Sequence, residues 1–268
     1  MSKRIRLDVY LAEHNSETSR ERARKDILAG WVKVDGETIR TPSKMIQGNE
    51  NVTVERPGGE YVSRGGQKLE KALNSFNINI QGKNVLDLGS STGGFTDCLL
   101  KFGANKVYAV DVGYGQLDYK LRQDERVVVW ERTNARKLSR DHFTDDIHLI
   151  TADLSFVSII KVIQHINTLF QNIEAVLLIK PQFEALPGEH KKGVVRNKSM
   201  HVQILNRVLN ELIINNVVIN NITFSPIRGP KGNIEFLCHC CINTNDKKSD
   251  FIIEHIAHIV DKAHDSFG

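Results

Sequence analysis

From residue 84 onward, short apolar runs alternate with stretches of helical periodicity, and this alternation restricts the fold more than any other feature of the chain. The runs cover 84–88, 106–111, 127–130, 147–153, 175–180, 217–224 and 234–242. Helical spacing is found over 96–102, 157–170 and 200–214, the second with Val157, Ile160, Ile163, Ile166 and Leu169 on one face. Strands that alternate with helices predict an α/β fold with a largely parallel sheet. Ligands of such sheets sit at the carboxyl ends of the strands. At 268 residues and 40% apolar composition, the chain can bury one large or two modest cores.

A different segment precedes this pattern. Residues 1–56 are short, charged and arginine-rich, and Arg56-Pro57-Gly58-Gly59-Glu60 reads as a linker. Thr18-Ser19, with Glu21 three residues after Thr18, predicts the start of a helix that runs over 20–29 and stops at Gly30. Trp31-Val32-Lys33-Val34 alternates like a strand, and Asp35-Gly36 predicts a hairpin turn. Arg20, Arg22, Arg24 and Lys25 crowd the helix. Such a cluster suits either a solvated face or a phosphate-binding one. The net charge of +4, from 36 basic and 32 acidic residues, does not decide between them.

The order of these elements, from Leu7-Asp8-Val9-Tyr10-Leu11 through the arginine helix to Trp31–Gly36, resembles the small RNA-binding domain of ribosomal protein S4. That resemblance implies that the helix faces structured RNA, which is read mainly by shape.

The loop Asp87-Leu88-Gly89-Ser90-Ser91-Thr92-Gly93-Gly94-Phe95 joins the first long strand to a helix. Its spacing matches neither the dinucleotide fingerprint nor a phosphate-binding P-loop. A carboxylate at Asp87 would repel a pyrophosphate and attract a ligand that carries an ammonium and a sulfonium, as S-adenosylmethionine does. Asp111 ends the next strand, where a ribose diol would need an acceptor. Asp87 as a loop cap and Asp111 as a turn residue are the competing readings. Gly89, Ser90, Ser91, Thr92, Gly93, Gly94 and Phe95 complete the candidate cofactor site, with Asn134 after the third strand as either an adenine or ribose contact or a turn residue.

Four charged residues fall at strand ends or just ahead of the sheet: Lys68, Asp153, Lys180 and Glu235. Lys180 is the unusual one, an ammonium that follows Val176-Leu177-Leu178-Ile179. Each alone suits a surface ion pair; two cations and two anions at one ligand edge suit a catalytic site. Val62-Ser63-Arg64-Gly65-Gly66, Ser90–Asp97, Asp153-Leu154-Ser155-Phe156 and Lys180-Pro181-Gln182-Phe183-Glu184 together resemble the TlyA family of FtsJ-like RNA 2'-O-methyltransferases. The resemblance implies a Rossmann-like S-adenosylmethionine-dependent methyltransferase over 64–268. A linker at 57–63 and an RNA-binding domain of α+β type over 1–56 would precede it. It implies that Lys68, Asp153, Lys180 and Glu235 form the catalytic tetrad, with Lys180 as base and Lys68 as the neighbouring charge. The reaction implied is methylation of ribose 2'-hydroxyls, of cytidine, in ribosomal RNA or ribosomal subunits. The alternatives are a non-catalytic ribosome-assembly factor, or a haemolysin, as family members are often labelled.

Lys191, Lys192 and Arg196 lie in a glycine-punctuated basic loop that reads either as a mobile flap over RNA or as a solvated loop. Cys238-His239-Cys240-Cys241 looks like a metal cluster, but on a strand Cys238 and Cys240 point away from His239 and Cys241, so no metal is expected. Three of the four cysteines are crowded into this segment, which excludes a disulfide framework and favours a reducing compartment. His255 and His258 accompany Ile252, Ile256, Ile259 and Val260, a stripe suited to docking a last helix on the sheet. The polar start of the chain is no secretory signal, and no apolar run approaches the ~18 residues of a membrane span, so a cytoplasmic protein is expected.

Overall fold

The computed structural model describes residues 4–14, 20–54, 61–244 and 255–268, except for the side chains of Glu21, Arg22 and Lys25. The chain divides into two compact units, residues 1–60 and 61–268.

In the first unit, β1 (Ile5–Arg6) pairs with β4 (Met45–Ile46), and β2 (Val32–Val34) pairs antiparallel with both β3 (Glu37–Ile39) and β5 (Val52–Val54). The Asp35-Gly36 turn joins β2 to β3 with both residues at positive φ, 50° and 85°, as the dipeptide predicts. Helices α1 (Leu7–His14) and α2 (Arg20–Ala29) enclose Leu7, Leu11, Ala23, Ile27, Val32, Val34, Ile39 and Ile46. The expected cap at Thr18-Ser19 lies outside the described residues.

The second unit is built on a seven-stranded sheet. Its strands are β6 (Asn84–Leu88), β7 (Lys106–Val110), β8 (Val127–Trp130), β9 (Leu149–Ala152), β10 (Ile173–Ile179), β11 (Val217–Phe224) and β12 (Phe236–Ile242). They run in the order β11-β12-β10-β9-β6-β7-β8, and only β12 is antiparallel to its neighbours. The chain builds outward from β6 to β8, then returns to place β9 on the other side of β6. That reversal opens a crevice at the carboxyl ends of β6 and β9.

Strand alternation sorts the core into two layers. Leu86, Leu88, Ile150, Leu177 and Cys238 face α6 (Ile159–Leu169), α8 (Lys198–Ile214) and α9 (Ile256–Phe267). Val85, Leu149, Val176 and Leu237 face α3 (Gly65–Phe76), α4 (Gly94–Lys101) and α5 (Tyr119–Gln123). Cys238 and Cys240 are fully buried on the first face, while His239 points to the other and bonds Glu174 at 2.9 Å. Ile256, Val260 and Ala263 dock α9. Ile252 lies outside the described residues, and the elements α5 and α7 (Pro181–Glu184) have no counterpart in the sequence pattern.

The first turns of α3 and α4 meet closely. A Cβ added at Gly94 would sit 2.9 Å from the Gly66 amide and 3.1 Å from the Gly65 Cα, and would collide with the Ser63 hydroxyl. Overpacking of this kind costs about 1–3 kcal/mol. Gly94→Ala is therefore expected to destabilise the second unit by that amount, measured by a urea titration followed by fluorescence or circular dichroism. An unchanged midpoint would mean that the two helix starts separate freely.

Candidate active site at the carboxyl edge of the sheet

Each of the four charged residues sits one step beyond a regular element or just inside one. Asp153 follows β9, Lys180 follows β10, Glu235 precedes β12, and Lys68 lies in the first turn of α3. The fold pairs them tightly. Lys180 Nζ lies 2.6 Å from Asp153 Oδ1 and donates to Ser155 Oγ at 2.9 Å. Lys68 Nζ donates to Glu235 Oε2 at 2.5 Å. Glu235 is 1% exposed, Lys68 7% and Lys180 8%. Lys68 is thus held by Glu235, as Lys180 is by Asp153. Gln182, two residues past Lys180, donates Nε2 to Glu235 Oε1 at 3.2 Å.

Burying a charge in this way requires a partner, because an unpaired ion in the interior costs several kcal/mol. The sequence meets that need by spending positions next to the sheet, where an apolar residue would pack, on lysine and carboxylate. Glu184, at the end of the same segment, plays a different part. Its Oε1 accepts from the Ile159 amide at 2.8 Å and so caps α6. Burial raises its carboxyl above the usual range.

The glycine loop is held from several sides. Asp87 is fully buried. It lies on the α4 side of β6, opposite Thr151 of β9, and accepts from Thr96 Oγ1 at 2.6 Å and Thr151 Oγ1 at 2.9 Å. Strand parity turns it into the layer between sheet and helix, where it fastens β6, β9 and α4 together. Gly93, at φ 96°, makes room for Leu117 and Leu121. Gly94 makes room for α3, and Phe95 is 3% exposed among Leu69, Leu73 and Leu99.

Gly89, Ser90, Ser91, Thr92 and Asp111 complete the loop region at the crevice. Gly89, at φ 82°, brings the backbone against the Asp153 carbonyl, which a Cβ would meet at 2.5 Å. Ser90 is buried, Ser91 exposed and Thr92 half-buried. Asp111 receives the Ser91 amide at 2.8 Å and the Gly113 amide at 2.6 Å, and so fixes both flanking loops. Asn134 Oδ1 accepts from the Arg136 amide at 3.0 Å, as a turn residue does.

Among the candidate RNA contacts, Arg24, Lys191, Lys192 and Arg196 are exposed. Arg20 is 59% exposed and lies 3.5 Å from the buried Asp8, which also takes a bidentate bond from Arg6. The side chains of Arg22 and Lys25 lie outside the described residues. The basic loop is no free flap. Asn233, 2% exposed, accepts from the Val195 amide and donates to the Gly193 carbonyl, both at 3.0 Å, and Lys191 bridges to Val194. Phe156 has no distinguishing mark in the sequence. It is 91% exposed at φ 63°, and its ring lies 5.1 Å from that of Phe183. An aromatic in such a conformation at a strand end is a recognisable signal once the fold is known.

Burial pushes the Asp87 carboxyl up to about 7, against the two threonine bonds that favour its charge. The folded value therefore exceeds the unfolded one, and the stability from this group, present below about pH 4, is lost as pH rises through about 7. Asp87→Asn removes that loss. Thermal midpoints at pH 5 and pH 8 should fall less with rising pH in the variant than in the parent; equal falls would show that Asp87 does not titrate in this range.

Residues 61–240 match the FtsJ-like methyltransferase family, and residues 5–52 match the S4 domain. Hemolysin A of Brachyspira hyodysenteriae is 46% identical over 241 residues, 89% of this chain and 100% of that protein. A Mycobacterium tuberculosis protein (strain ATCC 25618 / H37Rv) named 16S/23S rRNA (cytidine-2'-O)-methyltransferase TlyA is 38% identical over 239 residues, 88% of this chain and 89% of that protein. A solved structure from Streptococcus thermophilus, which also carries a hemolysin name, is 36% identical and covers 100% of this chain and 98% of that one, with a TM-score of 0.79. With a methyltransferase-type sheet, a lysine–carboxylate cluster at its ligand edge and relatives of this kind over most of its length, the chain belongs to the FtsJ-like methyltransferase family and carries an S4 domain ahead of the catalytic unit.

Proposed function

We propose that the protein transfers a methyl group from S-adenosylmethionine to a ribose 2'-hydroxyl, that of a cytidine in ribosomal RNA within a ribosomal subunit, in the cytoplasm. The observation that carries this reading is the pair of buried lysine–carboxylate contacts at the strand ends, Lys180–Asp153 and Lys68–Glu235. An alcohol is a weak nucleophile, and a site that acts on one must hold its oxygen and receive its proton. Lys180 is built for both. Ser155 already places an alcohol oxygen 2.9 Å from Nζ.

Bound S-adenosylmethionine supplies a methyl group already activated by the sulfonium charge. The residues at the crevice fit such a cofactor: Asp111 offers a carboxylate next to the exposed Val112, and Gly89 lets the backbone of the loop approach closely. Asp111 and the loop residues Gly89, Ser90, Ser91 and Thr92 would hold it. Asp87 contributes by fixing that loop from beneath. Lys180, as the neutral amine, aligns the 2'-hydroxyl and takes its proton, and Asp153 holds the ammonium that results. Asp153 and Ser155 orient the Lys180 side chain, and Glu235 orients Lys68. Phe156 offers an exposed ring on which a nucleobase stacks, as in most single-stranded RNA sites. Arg20, Arg24, Lys191, Lys192 and Arg196 supply phosphate contacts.

The reading is tested by mapping 2'-O-methylation on ribosomal RNA from cells with and without the protein. A site lost in its absence and restored by the purified enzyme supports the reading; an unchanged map overturns it. Within that assay, Lys180→Met should slow single-turnover transfer by ~10²–10⁴-fold, the usual worth of a general base. Asp153→Asn removes the carboxylate that holds Nζ at 2.6 Å, so it should also slow transfer. Parental transfer by both variants would remove the Lys180–Asp153 pair from the reaction.

RNA binding gives a second, independent measurement. Arg20→Ala with Arg24→Ala should weaken binding to ribosomal RNA and flatten its dependence on salt by about the charge of the contacts removed. Binding of S-adenosylmethionine, read by calorimetry, should be unaffected. Equal RNA affinity in parent and variant from low to moderate salt would show that α2 faces solvent.

A further inference from the structure

Within the Lys180 segment, Gln182 is the residue that reaches the second ion pair. It stands two positions after Lys180, in the short helix α7 whose start is set by Pro181. Its Nε2 donates to Glu235 Oε1, while Lys68 occupies Glu235 Oε2. Both carboxylate oxygens of Glu235 are thus held by side chains from separate parts of the chain. The third side of this arrangement is Gly229. A Cβ there would collide with Glu235 Oε1 and come within 3.5 Å of Oε2, so the carboxylate fills the space that the glycine leaves. Glu235 is therefore clamped between α3, α7 and the Gly229 turn.

The other end of the same amide is equally informative. Gln182 Oε1 is buried and meets no donor among the described residues. An unmatched buried acceptor costs about 1–3 kcal/mol, and a leucine or methionine of similar size would avoid that cost. The amide therefore has a purpose other than stability. The donation to Glu235 is the interaction that an apolar side chain would lose.

We propose that Gln182 is a positioning residue for methyl transfer: it holds Glu235, and through it Lys68, in register with the Lys180–Asp153 pair. The proposal rests on the methyltransferase reading of this site. Gln182 joins the two pairs mechanically, because a displacement of α7 moves Lys180 and Glu235 together. Misplacement of reacting groups by about 1 Å costs on the order of 10²-fold in rate. The loss should therefore appear in kcat and leave the KM for S-adenosylmethionine unchanged.

Two variants test this. Gln182→Met keeps the length and removes the N–H, and should lower kcat by about 10–100-fold while its thermal midpoint stays at or above the parental level and its cofactor affinity is unchanged. Gln182→Glu sets a carboxyl against the Glu235 carboxylate, and two such groups in contact retain one proton between them. The charged groups around them are Lys68 from α3 and, along the Gln182 segment, Lys180 with its partner Asp153. While that proton is held, an O–H replaces the lost N–H and donates to Glu235. Activity of Gln182→Glu should then be nearest to parental at acid pH and fall relative to the parent as pH rises. Its thermal midpoint should fall over the same range, a readout that needs no turnover.

The assay is transfer of tritiated methyl groups to ribosomal subunits that lack the modification, with the parent run alongside. If the parent is inactive on every subunit, the methyltransferase reading fails on its own. If the parent is active, the proposal is overturned by parental kcat in Gln182→Met. A Gln182→Glu activity ratio and thermal midpoint that stay flat with pH would overturn it equally. Should Gln182→Met fold poorly, the pH dependence of Gln182→Glu decides.

Discussion

Lys68 and Glu235 are 167 positions apart in sequence and 2.5 Å apart in space, and the second unit depends on their contact. Neither group tolerates burial alone. Removing one partner from a buried pair costs about 3–5 kcal/mol, because the other is left as an uncompensated charge. The contact therefore ties the helix that opens this unit to the strand that nearly closes it. It also means that each lysine of the site is matched by a carboxylate of its own, Lys68 by Glu235 and Lys180 by Asp153.

Much of this is legible in the chain. Lys180 stands out because an ammonium interrupts an apolar run, and Asp153 and Glu235 because strand ends in such sheets face the ligand. The alternation of runs and helices locates all seven strands of the sheet. What pattern does not reveal is which neighbour a residue meets. Asp87 sits in the same loop motif as the ligand-facing residues, yet strand parity directs it to Thr96 and Thr151. The glycines at 93 and 94 announce a close approach without saying whose; the answer is Leu121 for one and α3 for the other. The basic loop looks free in the sequence because Asn233, which pins it, lies about 40 residues further along.

The glycine loop is therefore two structures in one. Gly89 to Thr92 and Asp111 form the surface at the crevice. Asp87, Gly93, Gly94 and Phe95 form the foundation, where sheet, α3, α4 and α5 converge. Sequence motifs merge the two, since both fall within one short run of residues. Their physical roles differ, and so do the measurements that separate them: affinity for the surface, stability for the foundation.

The position of β12 has a consequence for the order in which the protein comes into being. Strand β12 is last in sequence but sits between β10 and β11. Until it arrives, both of those strands offer unpaired backbone edges, the kind of surface on which chains stick to one another. Domains fold from the amino terminus as synthesis proceeds at about 5–20 residues per second. The S4 unit is thus complete while most of the sheet is still unmade, and an RNA-binding module emerges from the ribosome well before the unit that follows it can carry out chemistry. A nascent chain of this design can hold RNA before it can modify it, and the interval during which its sheet lies open is set by the time needed to synthesise the residues from β11 to Ile242.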